Sequence, residues 1–107
     1  MSESSPADLA VAFRSFPRRL SEALGSLAPD VRARAASHAA AVTSELHAAA
    51  AALGVPAQGE PAALAGALAD KIDVVRPDAW DDATLAALRR HALAIGASLR
   101  SITDLAD

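Results

Sequence analysis

Three histidines, nine arginines, one lysine and thirteen carboxylates are the side chains of this 107-residue chain that can carry charge, and it has no Cys and no Tyr. Without Cys, disulfide exchange, thiolate catalysis and cysteine-based zinc sites are excluded. No GxGxxG or GxxxxGKS/T loop is present to cradle phosphate. Neither HExxH nor Glu-x-x-His occurs, so the helical metal motifs are missing too. Glu45 and His47 stand two positions apart and point in different directions on a helix. Asp70 with Asp73, and Asp81 with Asp82, fall near predicted helix ends, where carboxylates cap and solubilise.

Two groups of residues remain as candidates. His38 and His91, with Phe13 and Phe16, form the first; Trp80, the single Trp, joins them as a stacking or docking side chain. The bland reading of Trp80 is a staple packed on the turn that follows it. Arg14 and Arg18, one helical turn apart with Arg19 beside them, form the second. Guanidinium forks suit carboxylate and phosphate, so this pair is a candidate anion site. Solvated pairing with nearby acids is the competing reading.

The elements that must position these residues are helices. Residues 29–53 contain no Gly or Pro after Pro29 and are rich in Ala, the best helix former. Val31, Ala35, His38, Val42, Leu46, Ala49 and Leu53 recur at steps of three and four, one stripe of a helix. Gly54 fits the position just past its end. Residues 6–27 carry a second stripe through Leu9, Phe13, Phe16, Leu20 and Leu27, uninterrupted by Pro17. A single helix kinked near Pro17 accounts for this better than two short helices meeting at Phe16. Pro61 opens a third helix, 61–75, with Leu64, Leu68, Ile72 and Val75 inward. Residues 82–105 place Leu85, Leu88, Ala92, Ile95, Leu99 and Ile102 at heptad spacing, the seam of a left-handed bundle.

Short connections then predict one all-α domain, a four-helix bundle in up-down-up-down order. In that order the second and fourth helices run parallel across a diagonal. His38 and His91 each lie nine residues past their helix start, roughly 13 Å along the axis. The expectation is one level of the bundle holding two imidazoles and Phe16. No third ligand stands at that level, so neither a metal nor another cofactor is expected.

Composition bounds the role. Ala supplies 30 residues, against 26 larger apolar side chains. Such a supply requires either close Ala-mediated packing or apolar surface from a second copy. The net charge of −3 and the scarcity of aromatics disfavour nucleic acid, which demands phosphate neutralisation and stacking. The start has no secretory leader, and no charge-free apolar stretch of about 20 residues exists to enter a membrane, which predicts a cytoplasmic protein. The reading is a non-enzymatic interaction module, a homodimer or a partner of another helical protein. The alternative is a small-molecule sensor or carrier with a pocket near His38 and His91.

Overall fold

A computed structural model describes residues 6–56, 60–74 and 81–106. Among these the regular structure is entirely helical: α1 (Pro6–Gly25), α2 (Pro29–Arg34), α3 (Ala36–Leu53), α4 (Pro61–Val74) and α5 (Asp82–Asp104). Val75 and Trp80 lie outside the described residues.

Local chemistry accounts for most of the boundaries. α1 runs without a break through Pro17. Asp8 sits in its first turn, at the positive end of the helix dipole. At the other end a side chain from the next helix closes it. Arg32 Nε donates to the Leu24 carbonyl at 3.1 Å, and Nη2 donates to the Leu27 carbonyl at 3.1 Å. A cation thus meets the negative end of α1 and ties it to the corner that follows.

The segment expected as one helix, 29–53, is divided at Ala35 (φ −81°, ψ −8°). The Ala35 amide donates to both Val31 and Arg32 carbonyls, at 3.2 and 3.1 Å, a local tightening of the turn. No residue of α2 is buried, whereas α3 buries Val42, Leu46, Ala49 and Ala50. The division therefore falls where core packing begins. α3 ends at Gly54, whose φ of 70° is left-handed. The Gly54 amide donates to Ala51 and the Val55 amide to Ala50, at 3.2 and 2.8 Å. Paired bonds of this kind close the helix end, and Val55 then folds against the core. α5 begins at Asp81, whose side chain accepts the Thr84 amide at 3.2 Å.

The helices pack in pairs. α3 lies chiefly on α5 and α1 chiefly on α4, with α1 also on α5 and α3 also on α4. Glu45 meets His91, and Ala35, before the first turn of α3, shares a cluster with Ile102 near the end of α5. Residue numbers rise along α3 as they fall along α5, so the two helices are antiparallel neighbours. This corrects the expected parallel diagonal. Each of the connections 54–60 and 75–81 spans seven residues, up to roughly 23 Å of extended chain. That reach frees a helix from lying beside its predecessor.

The main core gathers Phe13, Leu46, Leu64, Leu68, Leu88 and Ile95, among others. Ala49 and Ala50 of α3, and Ala65 and Ala69 of α4, are fully buried within it, so small side chains form part of the core on both helices. A second cluster, Leu27, Ala35 and Ile102, closes the far end with Leu24, Val31 and Leu105 around it. Among the described residues no polar or charged side chain is buried.

Two consequences can be measured. Pro17 withholds an amide from the Phe13 carbonyl inside a continuous helix. Pro17→Ala should stabilise the fold by about 1–3 kcal/mol in urea unfolding; a clearly less stable variant would contradict the continuous helix. The Thr84 bond holds the Asp81 carboxyl below the usual aspartate range, favouring its charged form in the folded state. That contribution is complete above the unfolded-state pKa and fades as pH falls through the lower folded value. Asp81→Ala should lower the melting midpoint at pH 7, and the gap between parent and variant should shrink below about pH 4.

Candidate functional site

The residues with reactive chemistry that the fold brings together are His91 of α5 and Glu45 of α3. His91 lies between Leu88 and Ile95, two buried positions of α5, on the flank of its apolar seam. Glu45 adjoins Val42, Leu46 and Ala49, all buried on α3. The antiparallel packing sets the two side chains face to face, with Nδ1 of His91 at 2.6 Å from Oε2 of Glu45. Their side chains are 22% and 33% exposed, so the contact is half-sheltered at the helix seam.

The carboxylate fixes what the ring can do. In the neutral imidazole, Nδ1–H donates to Glu45, which leaves the lone pair on Nε2. A ring held that way presents one nitrogen as base or ligand. In the imidazolium the same contact is an ion pair. A catalytic constellation needs more than this. The bonded hydroxyls of Ser15, Ser26, Thr43, Ser101 and Thr103 all turn back to carbonyls of the preceding helical turn. Among the described residues no group of three or more His, Cys, Asp or Glu side chains converges to hold a metal.

The predicted site residues are dispersed. His38 is half-buried on α3, seven residues before Glu45, about 10 Å along the axis. Because α3 and α5 are antiparallel, His38 and His91 do not share a level. Phe13 and Phe16 are buried and meet edge to face, centroids 5.5 Å apart at 80°. Arg19 lies over the outer side of this pair, its guanidinium carbon 5.6 Å from the Phe16 centroid. Trp80 falls outside the described residues.

Arg14 donates from Nη2 to Asp70 at 2.8 Å and to Asp73 at 3.0 Å. These bonds, to Asp70 first, raise the Arg14 pKa further above its ordinary value. Arg18 pairs with Glu22 at 3.3 Å within α1. Three carboxylates thus face two guanidinium groups. A shallow groove of about 260 Å³ runs along Val11, Arg14, Ser15 and Arg18. A second, of about 370 Å³, lies between Arg19, Ala23 and Ser26 of the first helix and its corner and Thr103 and Ala106 at the end of the fifth. Neither is lined by His38 or His91.

The Glu45–His91 contact escaped sequence reasoning because its partners are 46 positions apart and belong to different helices. The one signal available was that Glu45 is the lone Asp, Glu, Lys or Arg among residues 36–53. An isolated charge beside an apolar stripe needs a partner across the seam.

A double-mutant cycle tests this contact. Glu45→Gln and His91→Gln should each destabilise the fold, and their coupling should be about 0.5–1.5 kcal/mol at pH 7. Additive effects would mean that the contact contributes nothing to holding α3 on α5.

No family model, no curated protein and no solved structure matches the chain.

Proposed function

We propose that the chain is a non-enzymatic interaction module, a four-helix bundle kinked at Pro17, that pairs with a second copy of itself through the outer face of α3. One observation carries this reading. Ser37, Ala40, Ser44, His47, Ala48 and Ala51 are exposed along α3, and none is Asp, Glu, Lys or Arg. The helix has one such residue, Glu45, and that side chain is turned to His91. Helices that face water normally carry charge on the solvent side. α3 instead turns outward only Ala, Ser and one His at these positions.

A surface mostly of Ala and Ser admits a second helix at close range, with His47 its one large side chain. The chain as a whole carries a net charge of −3 and repels its own copies at a distance. The outer face of α3 is where that repulsion is weakest. A lipid span does not explain the face, because among the described residues no helix is long and apolar enough to cross a membrane. The setting we propose for the dimer is the cytoplasm.

Sedimentation velocity at tens of micromolar should give a mass of two chains. Ala48→Glu, placed in the exposed stripe, should reduce it to one chain. Its cost to the folded monomer should stay within about 0.5 kcal/mol. A parent chain that stays monomeric at high micromolar concentration would overturn the proposal.

A further inference from the structure

α5 carries a second outward stripe of different character. Ala86, Arg90, Leu93, Ala97 and Arg100 are all exposed and step 4-3-4-3, so they form one line along the helix. Leu93 stands at the centre of that line with 73% of its surface open. Ala86 and Ala97 lie on either side of it and leave room for a neighbouring backbone. Several exposed guanidinium groups elsewhere are engaged: Arg14 by Asp70 and Asp73, Arg18 by Glu22, and Arg32 by the end of α1. Arg90 and Arg100 have no such partner among the described residues. Between Asp82 and Asp104 no carboxylate occurs in α5. A cationic stripe centred on an open leucine thus interrupts a chain that is acidic overall.

We infer that this stripe of α5 is a docking surface for an acidic amphipathic helix of another protein. Arg90 and Arg100 are ten residues apart, roughly 15 Å, the spacing of acids about three turns apart on a partner helix. An apolar side chain between those acids would cover Leu93, and the alanines would let the two helices approach. A second copy of this chain is the wrong occupant. Its α5 would bring four guanidinium groups onto one seam with few acids to meet them, and like charges in register oppose pairing. A lipid surface requires a broad apolar face, and the stripe offers one large side chain. The inference rests on the reading of the chain as an interaction module but uses a different helix face. The two can therefore fail separately.

The test uses the full chain and a labelled synthetic helix of about three heptads, with Leu at the seam and Glu at the flanking positions. Fluorescence anisotropy should show saturable binding that weakens as salt rises from about 50 to about 300 mM. Leu93→Glu should weaken binding by at least about tenfold, as should the pair Arg90→Glu and Arg100→Glu. The pair Arg90→Lys and Arg100→Lys keeps the charge and should stay within about threefold of the parent. A peptide with Lys in place of Glu should not bind, nor should vesicles of phosphatidylcholine and phosphatidylserine. Circular dichroism checks that each exposed variant retains the parental fold. Equal binding of the Glu and Lys peptides, unchanged binding by Leu93→Glu, preference for the vesicles, or no binding at about 1 mM would each overturn the inference. Sedimentation of Leu93→Glu separates the two readings, because loss of peptide binding with retained two-chain mass isolates the α5 stripe from the α3 face.

Discussion

The fold depends on how closely its helices approach one another. A chain with so few large apolar side chains cannot fill wide gaps between helices, so it uses small residues to bring the backbones together. Ala49 and Ala50 on α3, and Ala65 and Ala69 on α4, are fully enclosed, and dispersion across such a contact falls steeply with any separation. The few large side chains share the same core: Phe13 and Phe16 pack edge to face, in one cluster with Leu46, Leu68, Leu88 and Ile95. The shape of the molecule follows, about 17 Å in its thinnest direction and 46 Å in its longest. A thin body has much surface for its mass, and two of its helices present unusual outer faces.

Helix positions were legible in the sequence because their causes are local. Gly54 ends α3 in a left-handed turn, and Asp81 starts α5 by accepting an amide three residues on. Each depends on residues within one turn. The break at Ala35 was not legible, because no Gly or Pro marks it. Helix pairing was not legible either. Apolar stripes show which side of a helix is inward and leave open which neighbour it meets. Two connections of seven residues permit more than one order. His38 and His91 were matched by counting along helices assumed parallel; with α3 and α5 antiparallel, the same counting brings Glu45 to His91 instead.

The candidate site shows the same division between types and geometry. Arg14 and Arg18 were visible as a pair one turn apart, but the acids that meet Arg14 belong to α4, 56 and 59 positions on. Residue types give the vocabulary of a site; tertiary packing decides which of those groups neutralise one another. α3 and α5 differ most where the sequence is plainest. One has an outer face free of Asp, Glu, Lys and Arg, and the other sets Arg90 and Arg100 on a stretch with no acid between Asp82 and Asp104. Helices so different on their outer sides, held together as one antiparallel pair, give the molecule two distinct surfaces on a single rigid support.

The small cluster at the far end joins residues at least 67 positions apart in sequence (102 − 35). Leu27 and Ala35 are covered by Ile102 and Leu105. A polypeptide emerging from the ribosome makes the first pair long before the second. The corner between α1 and α2 must therefore stay partly wet until Ile102 and Leu105 have been made. Contacts of such long sequence separation form late and slow the final closure. During that interval Arg32 matters most, since its bonds to Leu24 and Leu27 span at most eight positions. They can hold the turn in shape before the side chains that will cover it have been made.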